Sequence, residues 1–148
     1  MDGRRGVSGG GAGFVLANLG TEQNKVWADP ITFYSHIIRF SPDVARVHNN
    51  LGMAYADQGK MDLAIQEYKE TLRIAPNLPQ PYHNLGEIYK NMGNLDEAVR
   101  RYEMALKTDE HFFYSAYELA KIWFARGHRD LAEKYKAQGD ASQGVLHR

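Results

Sequence analysis

Cysteine is missing from this chain of 148 residues. That one absence removes disulfides, thiolate metal sites and cysteine nucleophiles together, and leaves the redox compartment open. Net charge is missing as well, since 18 Lys and Arg balance 18 Asp and Glu. A nucleic-acid or anionic-membrane binder that works by bulk electrostatics is therefore not expected. No apolar run approaches the roughly 18 residues that a membrane helix needs; the longest candidate, Phe14-Val15-Leu16-Ala17, is far too short. No Asn-x-Ser/Thr sequon occurs, and no H-E-x-x-H. The six histidines, His36, His48, His83, His111, His128 and His147, include no pair at i, i+3 or i, i+4, so no helical metal site is expected. Asp109-Glu110-His111 is the one tight cluster, and its place at a joint reads as solvated. What is present is ordinary for a folded protein: 43% hydrophobic and 24% charged residues exclude wholesale disorder.

Six of the fourteen glycines fall within the first thirteen residues. Such a stretch loses too much backbone entropy to order by itself, and residues 1–23 read as a flexible leader. It is no phosphate loop, because no Gly-Lys-Ser/Thr follows and Leu16 stands where a dinucleotide fingerprint needs its third glycine. Arg4-Arg5 resembles the start of a twin-arginine export signal, but Gly6-Val7-Ser8 does not continue it. The polar, aperiodic stretch 139–148 reads as a disordered tail.

Between these ends the chain matches itself when shifted by 34 positions. Leu51, Leu85 and Leu119 are so spaced, as are Gly59, Gly93 and Gly127, Asp62, Asp96 and Asp130, and Ala64, Ala98 and Ala132. Segments 45–78 and 79–112 share nine identities in 34 positions. A period of this length signals a solenoid, whose units bury their apolar faces on one another. Each unit reads as two helices. Val47, Leu51, Tyr55 and Gln58 form one stripe, Gly59 breaks it, and Ala64, Ile65, Tyr68 and Leu72 form the next. In the second unit Tyr82, Leu85 and Tyr89 precede Gly93, and Leu95, Ala98, Val99, Tyr102 and Leu106 follow. Gly52 and Ala64 are small where two helices must come close.

The string Asn50-Leu51-Gly52-x-x-Tyr55, Gly59, Ala64, Tyr68, Pro76 resembles the tetratricopeptide repeat. Asn84-Leu85-Gly86-x-x-Tyr89, Gly93, Ala98, Tyr102, Ala105 repeats it, and a third copy keeps Leu119, Ala120, Trp123, Gly127 and Ala132. The resemblance implies an all-α fold, a right-handed superhelical stack of antiparallel helix pairs. Its expected divisions are a degraded half repeat at 24–44, repeats at 45–78 and 79–112, and a third, capping pair at 113–138. Asn24 to Asp29 also resembles, more narrowly, the junction of bacterial transmembrane-and-tetratricopeptide glycosyltransferase-like proteins.

The family resemblance implies a non-catalytic module that binds a peptide or partner helix in its concave groove. By matching position the groove residues are Arg46, Asn49, Asn50 and Met53 of the first unit. The second supplies Gln80, His83, Asn84, Glu87 and Asn91, and the third Tyr114, Glu118 and Lys121. Asn50 and Asn84 are expected to meet the main chain of an extended ligand, with Glu118 favouring a basic group at the far end. The family's carboxylate clamp is not expected, since of its five places only Asn84 is kept. The alternative is a regulatory or stabilising appendage of a membrane glycosyltransferase-like protein. No cofactor, metal, nucleic acid or direct membrane insertion is expected. A homo-oligomer is left open, and the expected location is soluble and cytoplasmic, or extracytoplasmic if the chain is a fragment of a membrane protein.

Overall fold

The computed structural model describes residues 28–146, which form seven α-helices and, among the described residues, no strand. The expected leader, 1–23, lies outside the described residues, as do the first four residues of the expected half repeat. Helix α1 (Pro30–Phe40) starts at Asp29, whose carboxylate accepts a hydrogen bond from the Thr32 amide at 2.9 Å. Pro30 fills the first turn, where no amide partner is required. Three helix pairs follow: α2 (Ala45–Asp57) with α3 (Met61–Ile74), α4 (Pro79–Asn91) with α5 (Leu95–Thr108), and α6 (Phe113–Ala125) with α7 (Arg129–Leu146).

One turn geometry joins each pair. Gly93 has φ +79°, in the left-handed region that side chains resist, and Gly59 and Gly127 match it at +74° and +81°. Around Gly93 the chain closes the end of α4. Its own amide donates to the Lys90 carbonyl at 3.0 Å, and the Asn94 amide donates to that of Tyr89 at 2.9 Å. The Asn94 side chain then accepts from the Glu97 amide at 3.2 Å and caps α5.

The pairs stack in chain order, α3 against α4 and α5 against α6, with α1 laid on α2. Ala64, Tyr68, Leu85 and Ile88 form one buried cluster and Ala98, Val99, Tyr102, Leu106, Ala116, Leu119 and Ile122 another, and Tyr89 packs on both. The core is thus continuous along the stack. Within a pair the close approach rests on glycine against tyrosine. A Cβ on Gly86 would lie 2.6 Å from the ring of Tyr102, and one on Gly52 2.7 Å from that of Tyr68.

The expected disordered tail at 139–148 is corrected by α7, which runs unbroken through Gly139 to Leu146. Gly139 is buried, and a Cβ there would stand 2.8 Å from the ring of Tyr117. The Tyr117 hydroxyl reaches Asp140 at 2.9 Å and Gln143 at 3.0 Å, and Gln138 donates to the Glu110 carbonyl at 3.1 Å. Ser142 is buried too. The residues that read as a polar end are a packed helix face. Gly139→Val is accordingly expected to cost about 1–3 kcal/mol by overpacking. Gly144→Ala, with nothing within 4 Å of a new Cβ, is expected to be neutral or favourable by up to about 1 kcal/mol. Urea unfolding of the two variants beside the parent checks the contrast.

Candidate peptide-binding groove

The first helices of the units, α2, α4 and α6, share one face, and two recesses on it are related by the repeat. One, of about 320 Å³, is lined in part by Tyr34, Asn50, Met53, Ala54 and Asp57. The other, of about 280 Å³, is lined in part by Tyr68, Asn84, Glu87, Ile88 and Asn91. Each residue of the second set stands 34 positions after its counterpart in the first. The face therefore presents the same recess twice, each time between a tyrosine of one unit and an asparagine of the next.

Asn50 and Asn84 hold equivalent places in these recesses. The Asn50 side chain has no hydrogen bond to another described residue, and Asn84 donates to the Asn49 side chain across a long 3.4 Å. Burial pushes the Tyr68 hydroxyl up to about 12; Asp57 adds to the shift and a hydrogen bond from Asn84 opposes it. Asn49 also reaches the sulfur of Met53 at 3.6 Å, and Met53, 42% exposed, borders both recesses. Asn91 is exposed at the rim. Arg46 and Gln80 are exposed in the first turns of α2 and α4 and line neither recess. Tyr114 is 56% exposed, its ring 4.1 Å from that of Phe113.

Four of the expected residues, His83, Glu87, Glu118 and Lys121, are held by the protein itself. His83 is half-buried; its Nδ1 lies 3.0 Å from the Ser115 hydroxyl, and the rings of Tyr102 and Phe112 pack at 5.4 and 5.5 Å. Burial lowers its pKa, so the neutral ring is favoured; Glu87 and Glu118 pull the other way. Glu87 accepts from the Tyr102 hydroxyl and from Lys90, whose Nζ stands 2.8 and 2.9 Å from its two oxygens. Lys90 then crosses to the third unit and donates to Glu118 at 2.7 Å, and Lys121 takes the other Glu118 oxygen at 2.6 Å. Burial works against ionising Glu118, but the hydrogen bonds from Lys121 and Lys90 outweigh it and hold its carboxyl below the usual range. The expectation that Glu118 waits for a basic ligand group is corrected on this geometry: both oxygens are already engaged.

Sequence reasoning missed Lys90, the link between the second and third units. Its partner Glu118 is 28 residues away, and no local spacing signals the pair. It missed Tyr34 and Tyr68 as walls of the groove, although a 34-residue shift from Tyr68 lands on Tyr34. Among the described residues no three His, Asp or Glu side chains gather as a metal site, and no helix is long and apolar enough to cross a membrane.

Comparison with known proteins returns the same repeat. Two tetratricopeptide-repeat family models match, one over residues 43–111 and one over 83–143. A search of curated protein sequences found no match. Among solved structures, a crystal structure of MamA is similar, with a TM-score of 0.71 at 20% identity over 79% of this chain and 68% of that one. A second MamA crystal structure gives 0.67 at 21% over 77% and 62%, and a double mutant, MamA RS-1 ArsTM, gives 0.66 at 17% over 90% and 72%. At these identities the likeness is one of fold, an α-helical repeat solenoid. With the family models spanning all three helix pairs, the chain belongs to the tetratricopeptide-repeat family.

Proposed function

We propose that this protein-interaction module holds an extended peptide in the face shared by α2, α4 and α6, chiefly through the ligand's main chain. The repeated recess carries this reading. Asn50 and Asn84 each bring an amide, donor and acceptor both, to the same place one repeat apart. An amide matches the alternating N–H and C=O of an extended backbone and reads no side chain. The Asn50 amide has no partner to lose, and Asn84 would give up only its long contact to Asn49 and its bond to the Tyr68 hydroxyl. Met53 lies between the recesses and supplies an adaptable apolar contact. Between the second and third units, Glu87, Lys90, Glu118 and Lys121 form an alternating chain of charges that sums to zero. The groove is therefore expected to tolerate many sequences and to bind each with modest affinity.

Fluorescence anisotropy with labelled, uncharged, extended peptides of ten residues tests this. Changing Asn50→Ala and Asn84→Ala together is expected to weaken binding about tenfold, the loss of one or two net hydrogen bonds. The melting midpoint is expected to stay nearly fixed. A fall in the midpoint with unchanged affinity of the folded protein would make the asparagines structural and end the assignment.

A further inference from the structure

A third recess, of about 740 Å³, opens between α6 and α7. Tyr117, Ala120, Phe124 and Ala132 form much of its apolar surface. Shifting these residues back by 34 gives His83, Gly86, Lys90 and Ala98. Those are the residues around which α6 is seated: His83 bonds Ser115, Lys90 bonds Glu118, and Ala98 packs with Ala116, Leu119 and Ile122. Shifting back by 68 reaches the seat of α4, where Asn49 meets Asn84 and Ala64 packs with Leu85 and Ile88. The fold thus shows the same seat three times, twice filled by a helix.

Among the described residues no helix returns into the third seat. Helices α3 and α5 end at Ile74 and Thr108, and short loops return the chain as α4 and α6. The equivalent place on α7 is Ser142, and α7 continues past it to Leu146. The chemistry of the seat changes as well. Leu95, Val99 and Tyr102 of the second unit are replaced by Arg129, Glu133 and Lys136, which line the recess. None of these three is ion-paired within the described residues. Phe124, at the place of Lys90, is 66% exposed. The seat keeps its apolar floor and carries two unpaired cations against one anion.

We propose that the α6–α7 recess docks an acidic amphipathic helix of another protein, continuing the stack in trans. Its ligand is a helix with the small–x–x–Leu–x–x–Ile stripe that Ala116, Leu119 and Ile122 present in the seat before it. Acidic residues flank that stripe and meet Arg129 and Lys136. Charge argues against a second copy as occupant through its first described helix, because α1 contains no Asp or Glu and carries Arg39. This surface is separate from the asparagine recesses, so its test and theirs fail independently.

The probe is a 20-residue helical peptide with that stripe and Asp or Glu at the flanks, beside a twin in which the acids are lysines. Calorimetry is expected to give a Kd at least tenfold lower for the acidic peptide at low salt. Phe124→Glu alters an exposed side chain and is expected to weaken binding at least tenfold without lowering the melting midpoint. Arg129→Glu with Lys136→Glu is expected to reverse the preference between the twins. Asn50→Ala with Asn84→Ala is expected to leave it unchanged. Equal affinity for the twins, indifference to Phe124→Glu, or no binding of either peptide would overturn the proposal. So would a dimer in sedimentation that Phe124→Glu dissolves, which would make the occupant a second copy.

Discussion

Tyr102→Ala is expected to lower the stability of the fold by about 3–5 kcal/mol, the usual cost of truncating a buried aromatic. The ring is fully buried, lies against Gly86 in its own pair, and belongs to the cluster that receives α6 from the next. Removing it opens a cavity at both contacts, and Gly86 offers no side chain to fill the space. The hydroxyl adds a second element. Tyr102 donates to Glu87, which also accepts from Lys90, so the truncation strips one partner from the charge chain that ties α4 to α6. Tyr102→Phe separates the two contributions. It keeps the ring and is expected to cost about 1.5–3 kcal/mol, the value of a hydrogen bond to a charged group. Urea denaturation of both variants checks the order; equal losses would mean that the hydroxyl, not the packing, dominates.

The same tyrosine shows why much of the fold was legible in the sequence and some of it was not. Tyr68 and Tyr102 recur at 34 residues with Gly52 and Gly86, and the glycine–tyrosine contact is the physical content of that recurrence. A pattern carried by identical residues at identical places announces itself. In the third pair the roles change hands. Ala120 replaces the first-helix glycine, and the contact is made instead by Tyr117 of α6 against Gly139 of α7. The packing is equivalent but the residues have swapped helices, so a shift-and-match reading sees only a glycine near the end of a helix and stops there. The groove divides along a similar line. Its asparagines stand at repeat-equivalent places and are visible as such. Whether a polar residue there is free depends on contacts between units. His83 is taken up by Ser115 and Glu118 by Lys90, at separations of 32 and 28 residues that no helical period encodes.

Stability is expected to fall toward both acid and alkaline pH, because His48 and His83 are shifted in opposite directions from 6.5. His48 is buried between α2, α3 and the loop after α1. Its Nδ1 stands 2.6 Å from a Glu67 oxygen and its Nε2 2.7 Å from the Pro42 carbonyl. Both neighbours are acceptors, and only the imidazolium has two N–H groups to donate. Burial opposes that charge, but the bonds to Glu67 and Pro42 outweigh it, with Glu70 adding a little, and the pKa is raised above 6.5. For a group raised by folding, the stabilisation is fully present below the unfolded pKa and is lost as pH rises through the folded one. His83 runs the other way. Burial among Tyr102, Phe112 and Tyr114 lowers its pKa below 6.5, with Lys90 adding, against Glu87 and Glu118. Its contribution is therefore present above 6.5 and is lost as pH falls through the folded value. His48→Ala is expected to cost about 1.5–3 kcal/mol at pH 6, since it strips a charged partner from Glu67. The loss should shrink as the pH is raised, because the parent then gives up the same interaction. His83→Phe keeps the ring packing and should flatten only the acid limb. Urea unfolding from pH 5 to 9 on the parent and both variants decides the matter. A parent whose stability does not decline as pH rises from 6.5 to 9, or a His48→Ala deficit that is constant with pH, would show that His48 is not held as the imidazolium.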